Sequence, residues 1–296
     1  MKTTSLLNAH TMTMAGTLCA GAALFLAGNA QAQNLFVSDY FVGKIYEYTP
    51  GGAQSTFASG SLGSSGVAFN SAGDLFAGGT STGSIYEYTP GGAQSTFATG
   101  LSGPYALAFN SAGNLFEADD SGGSVYEFTP GGTRSTFAAG LEQPWGLAFN
   151  SAGNLFVSDY ESGDIYKYTS GGTQSVFASG LNGPSGLAFN SAGDLFVSDT
   201  LKGDIYEYTP GGEQSTFASG LSFPEGLAFN SAGDLFVADS HSGNIYEYTP
   251  GGAQSTFASG LNYPFELAFA PVPEPSTLAL LAAGVSFMGL RLRRKE

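Results

Sequence analysis

The chain has 296 residues, with 44 Gly, 24 Phe and 15 Tyr but only 11% charged residues, a composition suited to short strands and tight turns rather than helices. Its formal net charge is −15, which excludes nucleic acid as a partner. No P-loop, dinucleotide fingerprint, Cys/His cluster or Gly-x-Ser-x-Gly elbow occurs, which argues against nucleotide, redox and zinc chemistry.

The N-terminal flank carries Lys2, an apolar stretch over 15–28 and a small-residue site at Ala30, Gln31 and Ala32. This pattern reads as a secretory signal peptide over 1–32, removed by signal peptidase. Cys19 is the only cysteine and lies within that segment behind Leu18, where a lipoprotein signal needs a small residue. The mature chain is then cysteine-free, and a domain of this size has enough core to do without disulfides.

From residue 33 to 270 the chain repeats itself every 40 residues. A Leu-Phe pair recurs at 35–36, 75–76, 115–116, 155–156, 195–196 and 235–236, and a fixed period of this length is the signature of a repeat architecture. Within one unit, the apolar segments 186–189, 195–198, 205–208 and 215–218 read as four strands, a to d. The Asn-Ser-Ala-Gly segment at 190–193 and the Pro-Gly-Gly segment at 210–212 supply the glycine that tight hairpins need. A four-stranded meander cannot bury both faces alone, so the units must stack around an axis. The expected fold is all-β: a six-bladed β-propeller with four-stranded antiparallel blades. The first unit begins at strand b and the last stops after an a-type segment at 266–269. The ring should therefore close by the C-terminal strand completing the first blade.

The residues also carry a likeness. Pro-Ser-Gly-Leu-Ala-Phe at 184–189, then Asp194 to Asp199 and Ile205 to Tyr208, resemble an NHL-type propeller repeat. That resemblance implies a superfamily fold shared with gluconolactonases, senescence-marker-like lactonases and virginiamycin B lyases, and one fold hosts many functions.

The C-terminal flank, 271–296, contains Pro273, Glu274 and Pro275, an apolar run over 278–290, and then Arg291, Arg293, Arg294 and Lys295. It resembles the PEP-CTERM sorting signal. The resemblance implies an exosortase as processing partner, transient contact with the inner membrane, and release to the cell envelope, surface or exopolysaccharide layer of a Gram-negative-type bacterium. The run over 277–292 falls short of the about 20 residues that span a typical bilayer, and the basic cluster suits a cytoplasmic end. An ordinary membrane anchor is the alternative.

The propeller alone holds 22 Asp and Glu against Lys44, Arg134, Lys167 and Lys202, a formal charge of −18. Such a surface favours cations or neutral ligands and keeps the chain soluble. The a–b and c–d turns, on one face, hardly vary between units. The opposite face varies at the residue before the core of strand a (Ser65, Tyr105, Trp145, Ser185, Glu225, Phe265) and in the b–c loops. Loops on a rigid scaffold carry binding, so the ligand surface is assigned there.

Three sets of residues on that face are candidates. Asp39, Asp119, Asp159, Asp199 and Asp239 end strand b, with Gly79 in the remaining unit; lying one strand out from the axis, each is expected to cap its own b–c loop rather than share a Ca²⁺ ion. Glu225 and Glu266 fall in adjacent blades and His241 in the blade of Glu225. They form the candidate catalytic group, and the two glutamates are the candidate ligands for a divalent cation such as Ca²⁺. The lactonase metal set cannot be matched here residue by residue, and the lyase type relies on more than one His, whereas His241 is the only one in the mature chain. The third set is aromatic: Tyr105, Trp145, Tyr160 and Phe265, with Tyr40, Phe223 and Tyr263. With Glu225 it suits a carbohydrate, small ligand or protein. The sequence thus points to an extracytoplasmic binding or matrix-associated propeller without a confident cofactor. A divalent-metal-dependent lactonase or lyase-like enzyme and a structural envelope protein are the alternatives.

Overall fold

Two local bonding patterns set the meander. Asn70 Oδ1 accepts from the amides of Ala72 and Asp74 at 2.9 and 2.8 Å, while Gly73 takes φ 87°, so the side chain mimics a backbone turn where the chain must reverse. At the other hairpin of each blade Thr49 Oγ1 accepts from Ala53 N, and the same bond recurs at Thr89, Thr129, Thr169, Thr209 and Thr249. Strands between these turns form six four-stranded antiparallel sheets. The computed structural model describes residues 33–60 and 63–272; the signal-peptide and sorting-tail assignments fall outside them.

Blade 1 contains Pro264–Phe269 as strand a, Leu35–Asp39 as b, Lys44–Tyr48 as c and Gln54–Ser59 as d. The C-terminal strand pairs antiparallel with the first, Leu35 opposite Phe269 and Val37 opposite Leu267. The expected closure is therefore observed. The innermost strands of blades 2 to 6 are Ser64–Phe69, Pro104–Phe109, Pro144–Phe149, Pro184–Phe189 and Pro224–Phe229.

The core lies in the seams between blades. Six clusters form, each drawing on two neighbouring blades; one joins Phe36 and Ile45 of blade 1 to Val67, Leu75, Ala77 and Tyr88 of blade 2. In that seam Phe36 meets Phe57 and Phe69 edge-on at 5.0 Å, the arrangement that ring quadrupoles prefer. Each fully buried Leu, Ile or Phe contributes about 1.5–3 kcal/mol, so a seam needs its partner blade to be stable.

At the inner-strand glycines near the axis, the neighbouring backbone approaches too closely for a side chain. A Cβ on Gly146 would lie 2.1 Å from the Ser185 carbonyl oxygen, and one on Gly186 would lie 2.2 Å from that of Glu225. Polar bonds fasten the same zone. Ser38, Ser158 and Ser198 donate across the seam to the carbonyls of Ser65, Ser185 and Glu225 at 2.6–2.7 Å. Thr200 and Ser240 donate to the carbonyls of Pro224 and Pro264 at 2.7 and 2.6 Å.

Candidate functional site

The loops before strand a are held by the aspartates that end strand b. Asp39 accepts from the amides of Asn262 and Tyr263 at 2.9 Å, and Asp159 from those of Glu142 and Gln143 at 2.9 and 2.8 Å. Asp119, Asp199 and Asp239 bind the amides of Ser102, Asn182 and Ser222. The structural role expected for these residues holds, but its main target is the d–a connection rather than the b–c loop. Asp119 and Asp239 also reach into the b–c loop with their side chains, through Gly122 N and Ser242 Oγ, and Asp199 through the Lys202 backbone.

On this face the connections, the starts of strands a and the b–c loops together carry a run of nine rings. Phe223 stacks on His241 at 4.3 Å, and His241 meets Tyr263. Tyr263 contacts Phe41 and Tyr40, and Tyr40 meets Phe265 at 5.8 Å. Phe265 meets Tyr105 edge-on at 4.8 Å, Tyr105 stacks on Trp145 at 4.7 Å, and Trp145 stacks on Tyr160 at 3.7 Å. Phe265 belongs to blade 1 and Tyr105 to blade 3, so their contact bridges non-adjacent blades and crosses the mouth of the axis. Phe41 is 66% exposed, whereas Phe265 is buried and Tyr105 nearly so. The run thus has a packed middle over the axis and an open end at blades 1 and 6.

Trp145 is fully engaged. Its indole stacks on two tyrosines, and Nε1 donates to Asp120 Oδ1 at 3.0 Å. Burial raises Asp120 above the usual carboxylate range and this hydrogen bond opposes the rise. Phe223 has φ 69°, where the matching residues of blades 2 and 5 are Gly63 and Gly183. A left-handed non-glycine conformation costs about 1–2 kcal/mol, and such strain concentrates at functional positions.

At the repeat position that Tyr105, Trp145 and Phe265 fill in other blades, Glu225 is 1% exposed and accepts from Ser185 Oγ at 2.5 Å. Burial pushes its carboxyl up to about 8, opposed by the Ser185 bond and reinforced by Glu266. Glu266 keeps a small window of accessible surface but is likewise pushed up to about 8 by burial. The Glu225 charge also acts on Tyr105, Tyr160 and Tyr263, whose hydroxyls are all raised first by burial and then by that carboxylate. Side chains from blades 1, 3, 4 and 6 therefore lie within electrostatic reach of Glu225.

The structure brings Glu225 and Glu266 together and joins them to Tyr105, Tyr160 and Phe265 in one neighbourhood. His241 sits apart, stacked on Phe223, and its charge acts on Asp239. Among the described residues no group of three or more His, Cys, Asp or Glu gathers as a metal centre requires. Pro273, Glu274 and Pro275 lie outside the described residues, and no helix among those described is long and apolar enough to cross a membrane. Sequence reasoning did not single out Ser185 and Asp120, which show themselves only as cross-blade partners. It also passed over Glu117, a fully buried carboxyl with neither oxygen bonded. Its signal was legible: the other repeats have Val or Ala there.

Comparison with known proteins fits this picture. Residues 221–245 match the NHL repeat, and residues 271–295 match the PEP-CTERM protein-sorting motif. The latter is a signal for export to the bacterial cell envelope with exosortase-mediated processing. No curated protein matches the chain. A chain of the nidogen/laminin complex is 19% identical with a TM-score of 0.74, covering 81% of this chain and 98% of its own. A streptogramin B lyase is 16% identical with a TM-score of 0.66, covering 80% and 86%. A protein assigned as a gluconolactonase is 17% identical with a TM-score of 0.64, covering 72% and 87%. At these identities the likeness establishes the fold alone, a six-bladed β-propeller.

Proposed function

We propose that this chain is an exported, exosortase-processed propeller that acts outside the cytoplasm as a binding or matrix-associated protein, holding its ligand on the variable face. The observation that carries this reading is the run of nine rings, closed over the axis and open at Phe41, Phe223, His241 and Tyr263. Rings offer flat apolar area at low entropic cost, and the ring–ring contacts hold them ready before any ligand arrives. A carbohydrate, or a small ligand with apolar C–H faces, suits such a surface, its polar groups meeting the tyrosine hydroxyls. Because Trp145 is already stacked on two rings, Tyr160, Tyr263 and Phe41 are the contact surfaces. Glycan and small-molecule binding to the purified chain should be saturable and about tenfold weaker in Tyr263→Ala and Tyr160→Ala, roughly 1.4 kcal/mol each. Binding unchanged in both variants would refute this placement.

One observation favours a second reading. Glu225 and Glu266 hold protons near neutral pH, the state a general acid needs. Ring opening of a lactone, abolished in Glu225→Gln while melting is retained, would establish a lactonase-like enzyme. A full lactone screen without turnover would remove it.

A further inference from the structure

The face of the invariant turns carries open notches at the blade seams. Between blades 1 and 2 a cavity of about 590 Å³ is lined by Phe36, Phe57, Phe69, Glu47, Ala72 and Pro90. Between blades 5 and 6 a cavity of about 430 Å³ is lined by Phe196, Phe217, Phe229, Glu207, Ala232 and Pro250. The two sets occupy identical repeat positions, and both volumes fall within the about 300–1,000 Å³ usual for small-ligand clefts. In each notch the central ring, Phe36 or Phe196, is buried, while the two rings set edge-on against it are partly exposed. Apolar ring surface therefore stays open to the cavity. The same edge-on triad recurs at 5.0–5.1 Å in the four other seams.

The polar wall selects among occupants. Phe196 stands opposite Glu207, and Glu207 opposite Ser215, so the carboxyl shares a sheet face with the rings. It is partly buried, and among the described residues no donor bonds it; the exposed Thr216 adds a hydroxyl to the same cavity. A purely apolar occupant would desolvate this carboxylate without a donor, and an anionic one would meet a propeller of formal charge −18. A sugar ring satisfies both halves, its C–H face against Phe and its hydroxyls donating to the carboxylate in charge-assisted bonds. Five blades keep the set, with Glu47, Glu87, Glu127, Glu207 and Glu247 beside their rings. Blade 4 has Lys167 for Glu and Val176 for Thr, and the Lys167 ammonium lies over Phe156 at 5.7 Å, a cation where the others offer an acceptor. We propose that five blade seams of the invariant face are equivalent subsites for a neutral polysaccharide, one sugar ring to a notch, separate from the variable-face site above. Subsites fixed on one rigid ring can engage successive stretches of one polymer, so weak single contacts sum to firm retention.

The purified chain is tested for retention on immobilised dextran, mannan, galactomannan and xyloglucan, with glucose, mannose, galactose and xylose as soluble competitors. The expected result is saturable retention on at least one polymer, about a hundredfold or more tighter than its free sugar. Blade 4 supplies the variant, since Lys167 shows that the fold accepts Lys at this position. The triple variant Glu87→Lys, Glu207→Lys, Glu247→Lys should keep its melting temperature, because Asp194 and Asp234 act electrostatically on Glu207 and Glu247 and would face the new cations. It should lose at least about tenfold in retention, while Tyr160→Ala and Tyr263→Ala on the opposite face change nothing. Because the polymers are uncharged, the altered net charge cannot by itself cause the loss. Retention undiminished in the folded triple variant, or no tighter than the free sugar, overturns the proposal. Loss in the tyrosine variants alone overturns it while leaving the variable-face reading in place. Silence of all four polymers also overturns it.

Discussion

Replacing Glu117 by Val should stabilise the protein, although Glu117 is among its most buried residues. The carboxyl is 0% exposed with both oxygens unbonded. It stands on strand b of blade 3 (Leu115–Asp119), where blades 1, 4, 5 and 6 place Val37, Val157, Val197 and Val237, also 0% exposed. An unsatisfied buried polar group costs about 1–3 kcal/mol, and a buried Val contributes about 1.5–3 kcal/mol. Loss of side-chain volume returns part of this as a void, leaving a net gain of about 3 kcal/mol. In a domain of this size that raises the melting midpoint by roughly 6–12 °C. The increment must depend on pH. Burial, with Asp119 adding and Arg134 opposing, holds the folded pKa well above its usual value, whereas the unfolded chain titrates near about 4.3. The folded state is therefore penalised progressively as pH rises above the unfolded value, by about 1.4 kcal/mol per unit until the folded pKa is reached. Calorimetry of both proteins from pH 4 to pH 8 should show the advantage of Glu117→Val widening with pH. A variant no more stable than the parent, or an advantage flat across that range, would refute the reasoning.

Glu225 and Glu266 carry the same sign at the axis: both folded values are near 8, so stability present below about pH 4.3 is lost as pH rises to about 8. The double variant Glu225→Gln, Glu266→Gln should lose less melting temperature between pH 5 and pH 9 than the parent, and comparing the two cancels the general effect of net charge. Gly146→Ala forces a Cβ to within 2.1 Å of the Ser185 carbonyl oxygen; a loss of about 3 kcal/mol in denaturant unfolding is expected, and a loss below 1 kcal/mol would contradict the close approach. A chain ending at residue 263 lacks the strand that pairs with Leu35–Asp39. It should show a larger hydrodynamic radius and a broadened melt, and an unchanged sharp transition would show that the ring does not depend on its closure.

The fold was legible because the repeat is short, regular and written in residues with local meaning. Asn70 and Gly73 announce a turn, Leu75 and Phe76 announce a buried strand, and six copies leave one architecture. The missing partner of Leu35 likewise pointed to Phe269 at the other end. The site was legible only as a set of residue types on one face. Nothing in the spacing of Phe265 and Tyr105 says that their rings meet across the axis, since that contact depends on the radius of the closed ring. The aspartates ending strand b were read as local caps, yet Asp39 reaches Asn262 and Tyr263, a partner brought near only by closure. Glu225 and Glu266 were placed together by blade order alone. His241 stacks on Phe223, whose left-handed backbone is hinted at only by glycine at the matching positions 63 and 183.

The point where the chain enters and leaves the ring has a mechanical meaning. Gln33 Nε2 donates to the Ala270 carbonyl at 2.7 Å, and Ala270 N donates to that of Asn34 at 3.0 Å, so both flanks depart side by side from the face of the invariant turns. Only Ala270, Pro271 and Val272 separate strand a of blade 1 from Pro273, a leash of roughly 10 Å even when fully extended. Whatever grips the sorting motif is thus no more than a few residues from the face of the invariant turns. Any pull on that leash is delivered first to the one strand whose pairing keeps the circle shut.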